Sequence, residues 1–368
     1  MPMGKRARWR LSWLLTGLAV LSTLGSAQGQ SCSPETGSPP SQVILGDDGS
    51  QFFPENRNCP KPIVAPQCAG GTILRYVDPL DPDRLTRYAC VASPPGGEDL
   101  PLVVYFHGSL IETVDVDFAG YQGNPPKTDL LAHVNTASLA PGKTGYVLLM
   151  PQGRCLRVPP GADGDGMHHD EWFKDGQTNL DIRAAQAFIQ QLQNRVTLDE
   201  QGNPVSLPAS LATVDDSRIY LTGHSNGAFF AHLVGLLFPQ QFAALATAAG
   251  ADPFARGPCP VAYPPRPRKI PVMVVHAACD PIVLCDCYGC DPSKATVEQW
   301  FDALARLRWP PRRRNDVITS NDHTRVVADC QFSSVRVQKR RCPLHAHDFP
   351  NPQLPSMFRF LQRYTVSQ

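Results

Sequence analysis

The chain has 368 residues, 42% of them hydrophobic, which is enough for one large globular domain or two ordinary ones. Its 34 Lys and Arg against 33 Asp and Glu leave a formal charge of +1. Nothing in that balance suggests a nucleic-acid partner, and no pull toward an anionic membrane is expected. The 37 prolines are about twice the usual share of roughly 5%, so rigid connections between elements are expected.

The first thirty residues read as an export leader. Lys5, Arg6, Arg8 and Arg10 form a positive start, Leu11–Leu24 is mostly apolar, and Gly25, Ser26 and Ala27 suit a peptidase cut after Ala27. The apolar run is about 14 residues, short of the roughly 20 that a spanning helix needs. No later run is long enough either, and Gly29-Gln30-Ser31 ahead of Cys32 is a poor lipid-attachment signal. All 12 cysteines follow the proposed cut, and an even count in an oxidising compartment implies disulfides. Cys285, Cys287 and Cys290 have a spacing that thiolate metal ligands also use, but in an exported chain disulfides are the expected use. No metal is expected. The sequence does not set the pairing.

Residues 28–70 hold prolines, glycines and three cysteines with little periodicity, and are expected to form an irregular, disulfide-pinned extension. Residues 71–368 are expected to form one catalytic domain. It opens with TILRYV and TRYACVA, two strand-like runs around the turn-rich DPLDPDR, a hairpin suited to a sheet edge. Four continuous apolar runs follow at Leu102–Phe106, Tyr146–Met150, Arg218–Thr222 and Val272–Val275, the pattern of strands buried on both faces. Helical spacing separates them at Leu180–Leu192, Ala228–Phe238 and Val297–Leu307, and a last helix is expected over Ser356–Tyr364. Alternating strands and helices predict an α/β fold with a mostly parallel sheet covered on both sides. Residues 309–315 read as a basic, solvated turn, and no internal repeat is visible.

The chemistry centres on Gly223-His224-Ser225-Asn226-Gly227, a G-x-S-x-G motif with an apolar strand before it and a helical pattern after it. A serine on so tight a strand-to-helix turn needs small residues two positions either side. The turn lifts the hydroxyl above the sheet and aims the next helix's amino end at the reaction centre. A serine hydroxyl is a weak nucleophile without a base and an acid to orient that base. Asp280 follows the strand Val272–Val275, where strand ends collect reactive groups. Asp286 and Asp291 are reserves. His345 and His347 stand ahead of the last helix, and spacing alone leaves the choice of base between them.

The other histidines read as structural or solvated. His133 and His232 fall in helical stretches and His323 in a polar loop. His168 and His169 adjoin Asp163, Asp165, Asp170 and Glu171, a cluster expected to be solvated loop rather than metal ligands. An oxyanion hole needs two backbone N–H groups. Asn226, after the nucleophile, supplies one. The loop His107-Gly108-Ser109-Leu110 after an early strand supplies the other, with Ser109 the expected donor.

The segments VVYFHGS, DSRIYLTGHSNGAFFAHLVGLLFPQQFAALATAAGA, IPVMVVHAACDPIV and HAHDFP, in that order, resemble the secreted feruloyl-esterase and polyhydroxybutyrate-depolymerase-like esterases of the α/β-hydrolase superfamily. The resemblance covers roughly residues 70–366. It implies an α/β-hydrolase fold with disulfide-rich loops and a Ser-His-Asp triad of Ser225, His347 and Asp280. The choice of His347 over His345 comes from the family's histidine-x-aromatic-proline pattern, which His347-Asp-Phe-Pro matches. The resemblance also implies substrate contacts from His224 and from Trp172, with Phe173 an aromatic pair. Ala277 and Ala228 replace family glycines, and the Cys285–Cys290 insert lies outside the common pattern. These departures leave the three residues intact and bear on substrate choice. The expected activity is a secreted serine esterase for phenolic or acetyl esters. The alternatives are a polyhydroxyalkanoate depolymerase and a silent binding protein on the same scaffold. No cofactor is implied. The expected partner is a small or polymeric ester, with no nucleic acid, no membrane once the leader is gone, and an open oligomeric state.

Overall fold

The computed structural model describes residues 42–43, 68, 70–109, 130–157, 166–254, 270–276, 280, 282–283, 297, 300, 303–304, 318–319, 324–328, 347 and 353–366. All belong to the unit Cys32–Gln368. The expected leader, most of the extension to residue 70, Cys285–Cys290, residues 309–315, His323, His345, Asp286 and Asp291 lie outside the described residues.

The strands are β1 (Gln42–Val43), β2 (Thr72–Val77), β3 (Thr86–Ala92), β4 (Leu100–Phe106), β5 (Val147–Pro151), β6 (Arg154–Arg157), β7 (Gly166–His168), β8 (Val196–Leu198), β9 (Pro204–Ser206), β10 (Val214–His224), β11 (Ala244–Ala248), β12 (Val272–His276), β13 (Ile318–Thr319) and β14 (Thr324–Ala328). The helices are α1 (Leu180–Asn194), α2 (Asn226–Leu237) and α3 (Leu354–Leu361). Among the described residues, nine strands form one sheet in the order β13-β14-β12-β11-β10-β4-β5-β3-β2. The six from β14 to β5 run parallel. β13 joins antiparallel at one end, and the β2–β3 hairpin joins antiparallel at the other. This is the α/β-hydrolase fold. After β4 the chain runs outward to β5, then returns to the far side of β4 as β10, which makes the β4/β10 boundary the switch point of the sheet.

The apolar runs form strands because both of their faces are covered. Every residue of β4, β5, β11 and β12 is buried. Side chains alternate between the faces. Leu102, Val104 and Phe106 join a core with Ile182, Phe188 and Leu192 of α1 and Phe230 and Leu233 of α2. Val103 and Tyr105 join the opposite core with Met357, Phe360 and Leu361 of α3.

Helix α1 starts where Asn179 caps it, its side-chain oxygen accepting from the N–H groups of Asp181 and Ile182 at 2.9 and 3.1 Å. It ends at Arg195, in a left-handed conformation with φ 59°. Helix α2 begins two residues earlier than the sequence pattern gave and is buried from Asn226 through Leu236. Its pattern is therefore apolar nearly all round, which obscures a start. The last helix covers Leu354–Leu361 rather than Ser356–Tyr364, with a proline in its first turn. Past it, Tyr364 and Val366 tie back to β10. The Tyr220 hydroxyl donates to the Tyr364 carbonyl at 2.9 Å, and the Val366 N–H donates to the Ser217 carbonyl at 2.8 Å. Among the described residues, one disulfide, Cys68–Cys90, ties the extension to β3.

Candidate active site

The central strand β10 ends at His224 and α2 begins at Asn226, so Ser225 alone makes the turn. Its φ of 51° and ψ of −123° are costly for a residue with a side chain. The flanking glycines make the turn possible. A Cβ on Gly223 would stand 2.3 Å from the Gly227 carbonyl oxygen, and a Cβ on Gly227 would stand 2.1 Å from that of Phe106. The second contact also locks the elbow against the end of β4. Ser225 is further fixed by its N–H, which donates to the Ala248 carbonyl at 3.1 Å on the neighbouring strand.

Two residues distant in sequence converge on this hydroxyl. His347 Nε2 lies 2.9 Å from Ser225 Oγ, and its Nδ1 lies 2.9 and 2.8 Å from the two oxygens of Asp280. Asp280 sits just beyond β12, 2% exposed, and its Oδ1 also accepts from the N–H groups of Ile282 and Val283 at 2.8 and 2.9 Å. The carboxylate is thus aimed by its own turn. With Asp280 accepting at Nδ1, the neutral ring carries its proton there and presents Nε2 as the acceptor to the serine hydroxyl.

The loop after β4 lies against the elbow. A Cβ on Gly108 would meet His224 Nδ1 at 3.2 Å and Ser225 Cβ at 3.3 Å. His107 sets the path of this loop. Its Nε2 accepts from the Gly153 N–H at 2.9 Å, so its Nδ1 carries the proton and donates to the Gly108 carbonyl at 2.7 Å. In a trans peptide the next N–H, that of Ser109, points opposite to that carbonyl. Ser109 Oγ pairs with His168 Nδ1 at 3.0 Å.

Asn226 is fully buried, and its side chain grips the backbone of His169. Its Oδ1 accepts from the His169 N–H at 2.8 Å and its Nδ2 donates to the His169 carbonyl at 3.0 Å. The same Nδ2 donates to Glu171 Oε1 at 3.2 Å. The sequence pattern gave Asn226 only a backbone role and gave Glu171 none.

His224 and Trp172, expected to touch substrate, are both buried. His224 is 7% exposed, with Nε2 2.5 Å from the His347 carbonyl oxygen. Burial, reinforced by His347, pushes its ring down to about 4, so it is neutral and holds the His347 backbone. Trp172 is 0% exposed and stands edge-on to His168, with ring centroids 5.3 Å apart.

The expectation of a solvated loop around His168 and His169 is wrong. His168, His169, Asp170 and Glu171 are all buried. They are held by an ion cluster that no local pattern reveals. Asp181 of α1 is gripped by Arg87 and by Arg154 Nε, the latter at 3.1 Å, and Arg154 also reaches Asp170 at 3.3 Å. The Asp170 N–H donates to Asp181 at 2.9 Å. Burial alone would raise the Asp181 carboxyl, but Arg154 and Arg87 outweigh it and hold it below the usual range. Burial, with His107 next to it, keeps His169 neutral well below its usual value. Among the described residues, no group of three or more His, Cys, Asp or Glu is placed to hold a metal ion.

No family model matches the chain, and no curated protein matches it. Distantly similar solved structures include a thermostable esterase, with 16% identity over 81% of this chain and a TM-score of 0.44. This chain spans 64% of that esterase's length. A CE1 ferulic acid esterase from Anaeromyces mucronatus, in complex with ferulic acid, is 12% identical over 88% of this chain and 98% of its own, with a TM-score of 0.45. An acetyl xylan esterase from Aspergillus awamori is 12% identical over 70% of this chain and 93% of its own, with a TM-score of 0.39.

Proposed function

We propose that the protein is a secreted serine esterase that cleaves carboxylic esters, with Ser225 as nucleophile, His347 as base and Asp280 as the group that orients it. The observation carrying this reading is the unbroken series from Ser225 Oγ through the His347 ring to Asp280, with every step within 3 Å. A strained serine at a helix amino end, paired with a half-buried imidazole backed by a buried carboxylate, has the parts of an acyl-transfer site.

In this reading Ser225 Oγ attacks the ester carbonyl carbon and gives its proton to His347 Nε2. The carbonyl electron pair moves onto oxygen, which the N–H groups of Asn226 and Ser109 receive. Collapse expels the alcohol, which takes the proton from His347. Water then attacks the acyl-serine by the same route, and the carboxylic acid leaves. Asp280 holds the ring in place and steadies the imidazolium.

Phenolic or acetyl esters are the proposed substrates. Their support is the sequence resemblance over VVYFHGS, the elbow and HDFP. The leader-like residues 1–27 and the Cys68–Cys90 disulfide support export. A fluorophosphonate probe tests the chemistry, since it should label Ser225 and no other serine. A panel of acetate, butyrate, methyl ferulate and polyhydroxybutyrate film tests the substrate. Turnover confined to the film would replace the small-ester reading with the polyester one. Absence of both labelling and turnover would sink the proposal.

A further inference from the structure

The two proposed oxyanion donors, Ser109 and Asn226, belong to different strand ends, after β4 and after β10. Their separation decides whether both N–H groups can reach one oxygen. Donors must stand about 2.7–3.1 Å from that atom, so a shift of a few tenths of an ångström in either loop matters. Something must therefore fix one loop against the other.

Consecutive residues of one segment hold both. His168, the last residue of β7, takes Ser109 by its hydroxyl at 3.0 Å. His169 takes Asn226 by two backbone bonds at 2.8 and 3.0 Å. Neither contact includes the reacting atoms of Ser225 or His347. The segment is itself anchored. β7 pairs with β6, with His168 opposite Arg154, and Asp170 is fastened to Asp181 and Arg154. Glu171 adds a third bond to the Asn226 amide.

Resting on the esterase reading above, we infer that His168 and His169 form a brace that sets the spacing of the oxyanion hole, His168 through its ring and His169 through its backbone. Both are positioning residues. The brace acts on the tetrahedral state, where the oxygen is charged, more than on the bound ester. Its loss should therefore lower kcat and leave KM in place.

The experiment is a double-mutant cycle of His168→Ala and Ser109→Ala, read as kcat and KM on the best ester of the panel. Each single variant should lose about tenfold or more in kcat at unchanged KM, a fraction of the roughly 10²–10³ that deleting a whole donor costs. The double variant should fall no further than the worse single, because both remove one contact. His168→Gln, which can still reach a hydroxyl, should recover part of the loss. Asn226→Ala tests the other half with the same expected split. Ser109→Ala removes a single oxygen, so it decides the matter even where His168→Ala does not fold. Full kcat in Ser109→Ala, or losses that add in the double variant, would overturn the brace alone. A wild-type chain that takes no fluorophosphonate and cleaves no ester would instead overturn the esterase reading, and the brace with it.

Discussion

Asp280 offers both carboxylate oxygens to Nδ1 of His347, at 2.9 and 2.8 Å, across 67 residues of chain. A carboxylate so placed fixes which ring nitrogen carries the proton. Asp280→Asn should leave the fold intact and lower kcat by roughly 10³–10⁴ by favouring the wrong tautomer. Ser225→Ala and His347→Ala should each remove several orders of magnitude. His345→Ala should keep most of the activity. Steady-state kinetics on the ester panel checks all four, and a dead His345→Ala beside an active His347→Ala would reassign the base.

The buried imidazoles should make stability pH-dependent. Burial pushes His224 and His232 each down to about 4, with His347 adding to the effect at His224. An unfolded histidine titrates near 6.5. Between about 6.5 and 4 the unfolded chain binds protons that the native chain refuses, so stability rises with pH there. The contribution is complete above about 6.5 and is lost as pH falls toward 4. His232 is the cleaner probe, since its Nδ1 meets the Ala251 carbonyl at 3.0 Å and its Nε2 meets the Thr247 hydroxyl at 2.8 Å, away from the elbow. Urea unfolding at pH 7 and pH 5 should show His232→Gln shrinking the difference by about 2 kcal/mol. An unchanged difference would rule His232 out as a source of it.

Asp181 is the shared counter-ion of two buried arginines. Asp181→Ala leaves Arg87 and Arg154 facing a void and should cost about 3–5 kcal/mol in denaturant unfolding. Arg218, a half-buried residue whose partner Asp215 is also partly exposed, serves as the control. Arg218→Ala should cost under about 1 kcal/mol.

The Cys68–Cys90 bridge closes a loop with a sequence separation of 22. Chain-entropy arguments put its contribution at about 3 kcal/mol. Cys90→Ser together with Cys68→Ser should lower the urea midpoint accordingly, while fluorophosphonate labelling of Ser225 in the folded state stays at the wild-type rate. Slower labelling would mean that the bridge also shapes the site.

Much of the sheet was legible because its strands are buried on both faces. LVVYF and VMVV have no polar residue to confuse the reading, and the elbow declares itself through Gly223 and Gly227, where backbone leaves no room for a side chain. Ser225 and Asp280 stand beside strands whose own pattern is plain, whereas spacing leaves His345 and His347 open and only the resemblance at His347-Asp-Phe-Pro favours His347. The segment His168–Glu171 was misread because local sequence shows only clustered charge, and clustered charge is usually solvated. Its burial depends on Arg87 and Arg154, of which Arg87 lies more than eighty residues away, and no spacing rule connects them. The side chain of Asn226 was missed for a related reason. Its partner is the backbone of His169, and backbone polarity is the same at every residue.

The elbow and the loop of Gly108 belong to β10 and β4, adjacent strands at the middle of the sheet, whereas Asp280 and His347 stand on connections outside the strands. The two halves of the site therefore depend on different parts of the architecture. Under the proposed reading, the strand ends that would receive developing charge are set by the sheet, while the couple that activates the serine depends on how those two connections fold. Changes in those two connections would reach the activation of Ser225 before they reach the strand ends, so Asp280 and His347 are positions for an engineer to hold fixed.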